Sequence, residues 1–194
     1  MTDNPFAAVA VRTLFFSSCF FITSCAPETS DSPTDAFFDN LTSLCEGTFT
    51  GQVISDQAAD ADWIGQTLVV GPVTCARDVV RMPLAVGEDR SRTWVVSRDS
   101  DALEFRHEHT EPDGSPSAVT EYGGFSRDGG TATLQAFPAD DLTKVNFTEN
   151  GIAVSNANVW TFEMSDGMLT YTLARPATED NVARDFRAQF DVTP

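Results

Sequence analysis

Histidine and arginine side chains, which can bind anions or metal ions, alternate with aromatic residues between positions 90 and 110. This period of two predicts strands over 90–98 and 101–110, joined by a tight turn centred between Asp99 and Ser100. Centring the turn there pairs Arg92 with His107, next to the pair formed by Trp94 and Phe105. We therefore expect one face of the hairpin to run from apolar to cationic.

A third predicted strand, 115–122, extends this face and places Tyr122 beside Phe105. The residues expected to share the inward side are Arg90, Arg92, Trp94, Phe105, His107, His109, Thr120 and Tyr122. Cations and a phenol above an apolar floor suit a small amphipathic anion, whose head group would supply the acceptor that a buried arginine needs. The alternative is that these strand ends reach a rim, where the cations are hydrated or paired with Asp89, Glu108 or Glu111.

Catalysis and metal binding are less well supported by the residues. His107 and His109 have the spacing with which one strand presents two imidazoles to a metal, but the sequence has no third histidine, and Arg90 and Arg92 would oppose a cation. It contains no Gly-x-Ser-x-Gly sequence and no cofactor motif, and Asp140-Asp141 are expected to be solvated acids in a loop or short helix. We expect no catalytic residue, no metal and no cofactor.

The elements that must position these residues are almost all strands. Helical spacing predicts one short helix from Asp35 to about Leu44, with Ser32 or Thr34 near its cap. The remaining strands are predicted at 46–54, 66–76, 78–86, 130–137, 151–155, 158–165, 168–175 and 184–192. A turn at Asp166-Gly167 pairs Phe162 with Tyr171 in a core-lining hairpin. The fold class is all-β: an antiparallel meander of about ten strands that closes into a barrel, with one short N-terminal helix.

The charge of the chain limits its partners. The formal net charge is −17, and Lys144 is the only lysine. A surface of this sign repels phosphate backbones, so we do not expect nucleic-acid binding. The sequence does not indicate an oligomeric state.

The first 24 residues have the layout of a signal peptide. Arg12 precedes an apolar run of about ten residues, too short for a membrane span of ~20 residues. The sequence Ile22-Thr23-Ser24-Cys25 resembles the lipobox of bacterial lipoproteins, which implies that Cys25 is lipidated. We expect residues 1–24 to be the signal peptide, 25–33 a tether and 34–194 a single β-barrel domain, anchored to the periplasm-facing outer membrane or cell surface through the lipid alone.

Export also implies a disulfide. If Cys19 is removed and Cys25 is lipidated, Cys45 and Cys75 remain together in an oxidising compartment. The bridge would close a loop of about thirty residues and contribute roughly 3–4 kcal/mol.

Gly47-Thr48-Phe49, which follows the predicted helix and opens the first strand, resembles the Gly-x-Trp opening of lipocalins in the calycin group. The inward cationic patch is similar to that of fatty-acid-binding proteins. This resemblance implies a calycin-like barrel in a non-enzymatic module that holds a small amphipathic anionic ligand. The alternative is a structural or protein-interaction component of the cell envelope with a filled barrel.

Overall fold

Antiparallel strands form one sheet that curls into a nearly closed barrel. The protein is described by a computed structural model that covers residues 1–2, 32–100, 102–126 and 129–193. Within these ranges the strands are β1 Phe49–Val53, β2 Leu68–Val70, β3 Thr74–Ala76, β4 Val79–Val86, β5 Asp89–Asp99, β6 Ala102–His109, β7 Tyr122–Ser126, β8 Leu134–Pro138, β9 Val159–Ser165, β10 Met168–Arg175 and β11 Arg184–Asp191. The two α-helices are α1 Pro33–Thr42 and α2 Asp141–Glu149. The all-β antiparallel barrel expected from the sequence is confirmed.

The barrel has a seam between β7 and β8. The order of neighbours is β7-β6-β5-β4-β2-β1-β11-β10-β9-β8, and β3 pairs with β4 outside this path. Across the seam, an antiparallel bridge joins Gly124 to Ala139. A Cβ atom on Gly124 would lie 1.8 Å from the carbonyl oxygen of Pro138, so only glycine allows this approach. The seam is therefore held by close backbone contact rather than by a long ladder.

One end of the barrel is filled by α1, and we call it the α1 end. Ser32 Oγ accepts a hydrogen bond from the Asp35 N–H and caps the helix at the predicted place. Phe37, Phe38 and Leu41 are buried in the core. This packing closes the α1 end with apolar side chains.

The distal end, where β5, β7, β9 and β11 begin, is covered by connections. These are the loop between β1 and β2, the segment 110–121, helix α2 and a 3-10 helix at Ala153–Ala157. Asp140 caps α2 by accepting from the Thr143 N–H at 2.8 Å. The short helix at Asp140-Asp141, one of two alternatives from the sequence, is the one observed.

Three predicted strands differ in the structure. Segment 115–122 is mostly loop. It contains a proline, which lacks the N–H that a strand ladder needs, and Glu121 has a φ of +53°. The strand therefore starts only at Tyr122. Segment 151–155 lies in the 3-10 helix. Segment 66–76 is two short strands, because Pro72 lacks the N–H that a continuous ladder needs.

The two hairpin registers have different outcomes. The pairing of Phe162 with Tyr171 across Asp166-Gly167 is confirmed. The pairing of Arg92 with His107 is wrong by two residues, because Arg92 pairs with His109, and Trp94 rather than Arg92 pairs with His107. The last pair joins Asp99 to Ala102, and Ser100 has a φ of +54°, so the turn is centred one residue later than predicted.

A shift of two residues preserves the face of every side chain. On the third strand the correction is also two residues, since Tyr122 pairs with His107 instead of Phe105. For the predicted inward residues that lie on β5, β6 and β7, the parity was therefore correct although the partners were not; Thr120 lies in a loop, where parity does not apply.

Cys45 and Cys75 form the expected disulfide. It links the turn after α1 to β3. Cys25, the lipobox-like sequence and all of the predicted signal peptide except residues 1–2 lie outside the described residues, as does nearly all of the tether. In the described part of the chain, every helix is too short or too polar to cross a membrane.

Candidate functional site

A cavity of about 270 Å³ lies inside the distal end of the barrel. Its walls are mainly aromatic, with rings from Trp63, Trp94, Phe147, Trp160 and Phe186. The volume is just below the ~300–1,000 Å³ of pockets for drug-sized ligands. The cavity therefore suits a small ligand with an apolar body.

His107 and Tyr171 form a hydrogen-bonded pair in the cavity wall. His107 Nδ1 donates to the carbonyl oxygen of Tyr122 at 3.2 Å, since a carbonyl oxygen only accepts. Nε2 then accepts from the Tyr171 hydroxyl at 2.8 Å. Both imidazole nitrogens are engaged, and the Tyr171 oxygen keeps lone pairs that can accept another hydrogen bond.

Burial keeps this pair uncharged. The pKa of His107 is lowered to about 3, mainly by desolvation; the hydrogen bond to Tyr122 opposes this shift, and the nearby charges of His109 and Arg92 add to it. Desolvation also raises the pKa of Tyr122 to about 12 and that of Tyr171 well above its usual value. The pair of His107 and Tyr171 is thus a neutral polar group among aromatic rings at physiological pH.

Two arginines supply positive charge to the lining. The Arg92 guanidinium lies 5.1 Å from the ring centroid of Trp63, and Arg184 lies 5.5 Å from that of Phe186. Within the described residues, the lining contains no aspartate or glutamate. The charged side chains that line the cavity are therefore both positive, in a protein whose net charge is −17.

Each arginine already has an acidic partner behind the lining. Arg92 Nη1 donates to Asp89, whose pKa is lowered to about 2 because hydrogen bonds from Ser91 and Arg92 outweigh its desolvation. Arg184 Nη1 lies 2.5 Å from Asp60, which is fully buried. These pairs fix the guanidinium groups, and each guanidinium retains further N–H donors because it has five in all.

The structure brings four of the predicted site residues to the cavity: Arg92, Trp94, His107 and Tyr122. The Phe105 ring is fully buried and packs against the imidazole of His107, with ring centroids 4.5 Å apart. It supports the lining rather than facing the cavity.

The other three predicted residues lie beside or outside the cavity. The His109 N–H donates to Thr120 Oγ1 at 2.8 Å, and neither side chain is part of the lining. Arg90 is exposed and donates to the Gly87 carbonyl oxygen at 2.6 Å. The hairpin thus supplies one arginine to the cavity instead of two.

The lining residues that sequence reasoning did not assign to the site include Trp63, Asn158, Tyr171 and Arg184. Tyr171 and Arg184 had a usable signal, because each shares its strand parity with core residues, Leu169 and Phe186 respectively. Trp63 and Asn158 come from connections between strands, whose paths do not follow from periodicity.

A larger depression of about 560 Å³ lies on the outside of the seam, between β7, β8 and the start of α2. Its principal acid, Asp140, is already occupied by Arg106 at 2.5 Å and by the α2 cap. The described residues also contain no group of three or more histidine, cysteine or acidic side chains placed to hold a metal ion. The interior cavity is the stronger candidate site.

Comparison with known proteins adds no family to this description. No protein-family model matches the chain. No curated protein has significant sequence similarity to it.

Proposed function

We propose that the protein is a non-enzymatic binding module that holds a small amphipathic anionic ligand in the distal cavity of its barrel. The observation that carries the proposal is the lining, which combines aromatic walls with two arginines and no described carboxylate. Aromatic walls favour an apolar body, while arginine N–H groups favour a carboxylate or a similar head group. The calycin-like arrangement of the strands supports the same proposal.

A binding role also fits the state of the polar groups. His107 has a pKa of about 3, and its lone pair is taken by Tyr171, so it is a poor general base at neutral pH. Its pair with Tyr171 instead offers a fixed acceptor. The ion pairs behind Arg92 and Arg184 orient the guanidinium groups before the ligand arrives, which lowers the cost of binding.

Native mass spectrometry of gently purified protein should reveal a bound ligand by its mass. Independently, 4-phenylbutyrate is a suitable probe, because it joins one aromatic ring to one carboxylate. We predict that Arg92→Met weakens its binding by about 1.5–3 kcal/mol, the scale of a charge-assisted hydrogen bond. The melting temperature should change little, since the pair of Arg92 with Asp89 is partly exposed.

Arg90→Met is the matched control for this experiment. It removes the same charge from the same strand, but outside the lining. Calorimetric titration of both variants separates local contact from long-range attraction. If Arg92→Met loses stability without any change in affinity, or if the wild-type protein does not bind the probe, the binding proposal is wrong.

The second candidate is a structural or protein-interaction component of the cell envelope. The α1 end favours it, because Phe37, Phe38 and Phe105 fill that half of the barrel. The outer face of α2 also exposes Leu142 and Val145, which would suit a protein partner. Under this proposal, Arg92→Met would affect stability alone.

We further propose that the chain is exported and anchored through Cys25. The lipobox-like sequence supports this, and so does the disulfide, since such bonds persist mainly in oxidising compartments. The compartment proposed is the periplasm-facing outer membrane or the cell surface.

A further inference from the structure

The side chain of Asn158 is buried in the lining without a hydrogen-bond partner. Only 5% of Asn158 is exposed, and its Oδ1 atom has no hydrogen bond. The backbone is satisfied, because its N–H donates to the Ser155 carbonyl oxygen and its own carbonyl accepts from the Ala139 N–H. The buried atom of Asn158 that has no partner among the described residues is therefore its side-chain oxygen.

An unpaired buried carbonyl oxygen destabilises the empty protein, because it has lost its hydrogen bonds to water and gained none in return. An apolar side chain of similar size would fill the same place without this cost. The position of Asn158 in the cavity wall suggests that a ligand is the missing partner.

The neighbours of Asn158 form a neutral wall that differs from the cationic one. Asn158 and Trp160 are two residues apart at the start of β9 and face the same way. The Trp160 ring lies 5.8 Å from that of Tyr122, whose hydroxyl has no hydrogen bond among the described residues. The two arginines instead lie against the rings of Trp63 and Phe186, whose centroids are 5.2 Å apart.

The two walls would recognise two different groups of one ligand. The guanidinium groups take an acid, as proposed above. The Oδ1 atom of Asn158 is an acceptor without a donor, and the N–H of an amide in the ligand would supply that donor.

We infer that the ligand carries a carboxamide in addition to its acid, and that Asn158 is the residue that selects it. The chemical class is a small N-acyl amino acid or a similar amide-containing carboxylate with an apolar end. This inference rests on the proposed function and makes it more specific.

A matched pair of probes tests the inference. Hippurate and 4-phenylbutyrate share a phenyl ring, a carboxylate and the length between them, but hippurate has an amide where 4-phenylbutyrate has two methylene groups. Calorimetric titration should show that the wild-type protein binds hippurate about tenfold more tightly, the value of one satisfied buried hydrogen bond.

Asn158→Leu should abolish this preference and leave the affinity for 4-phenylbutyrate within about threefold of the wild-type value. Its melting temperature without ligand should be equal or higher, because the unpaired amide is gone; a purely structural asparagine would give a lower one. Asn156→Leu is the control, since Asn156 belongs to the same connection and also has a buried Oδ1 without a partner, but lies outside the lining and donates through Nδ2 to Thr148 Oγ1; its replacement should leave the preference for hippurate unchanged.

The outcomes distinguish the two levels of the proposal. If wild-type protein binds both probes equally, or if Asn158→Leu keeps the preference, the amide inference is wrong and the binding function stands. If neither probe binds, the proposed function fails together with the inference. The comparison of probes on the wild-type protein decides the matter even if the leucine variant does not fold.

Discussion

The imidazole of His107 is only 4% exposed, and both of its nitrogens are occupied by Tyr122 and Tyr171. Its pKa of about 3 lies well below the ordinary value of 6.5. Between these values the unfolded chain binds a proton that the folded protein does not. The contribution of His107 to stability is therefore complete above pH 6.5 and is lost as the pH falls towards 3.

We predict that His107→Gln removes this pH dependence. From pH 7 to 4.5 the wild-type protein should lose on the order of 3 kcal/mol through His107, which the variant would not lose. At pH 7 the variant should be less stable by about 1–3 kcal/mol, because the hydrogen bonds to Tyr122 and Tyr171 are disturbed. Urea unfolding at the two pH values measures both effects.

His109→Gln is the comparison variant: His109 lies on the same strand but is only half-buried, and desolvation lowers its pKa too, so this variant shows how much of the pH dependence comes from the second histidine. Carboxylates titrate over the same range in all three proteins, so only the difference between variants reports on the histidine. An equal loss of stability in wild type and His107→Gln would contradict the neutral, buried state of this residue.

At the residue scale, parity along a strand predicts which way a side chain points but not what surrounds it. Arg90 and Arg92 share a parity, yet Arg90 lies near the turn at Gly87 and remains in solvent. Asn158 shows the opposite case, because its burial depends on the path of the segment between α2 and β9. Because parity does not determine the surroundings of a side chain, only four of the eight predicted ligand-site residues line the cavity.

At the scale of elements, registers follow from turns. The Asp166-Gly167 turn has a residue pair that adopts positive φ readily, with values of +53° and +75°, and its register was predictable. The sequence around Ser100 contains no glycine, so its positive φ could not be located and the register was displaced by two. The prediction of which side chains face inward was still correct, because side chains on a strand alternate with a period of two.

Helix α2 has a role at the seam that its sequence does not show. The Thr143 hydroxyl donates to the Gly123 carbonyl oxygen at 2.8 Å and accepts from the Gly123 N–H at 2.7 Å. Thr143 is only 1% exposed. Thr143 thereby satisfies the N–H of Gly123, a backbone group of β7 that has no neighbouring strand to pair with at this point.

We predict that Thr143→Val destabilises the barrel by about 1–3 kcal/mol, because it leaves the Gly123 N–H buried and unpaired while keeping the shape of the side chain; the Gly123 carbonyl still accepts from the Asp140 N–H at 3.1 Å. Hydrogen exchange should show faster exchange at Gly123 than in the wild-type protein. Thr148→Val on the same helix is the control, since its hydroxyl is exposed and bonds only within the connection. Equal stability of the two variants would refute the role assigned to Thr143.

At the scale of the whole molecule, the number and alternation of strands were enough to predict an antiparallel barrel. The place of closure was not predictable, because it depends on Gly124 approaching Pro138, residues that belong to different predicted hairpins. Whether the interior was hollow was equally beyond the sequence. The barrel is filled at the α1 end and has a cavity at the distal end, so each of the two functional hypotheses describes one half of it.

The proposed membrane anchor of the molecule depends on one sulfur atom, that of Cys25. We predict that Cys25→Ser converts the protein from a membrane-bound to a soluble or unprocessed form, because serine has no thiol to carry a lipid. Membrane fractionation and intact mass of the expressed protein measure the change, and the wild-type mass should exceed that of residues 25–194 by the attached lipid. Cys19→Ser is the control, since it removes a thiol from the segment that would be cleaved away and should alter neither readout. Unchanged fractionation and mass in Cys25→Ser would show that the protein is not anchored through this residue.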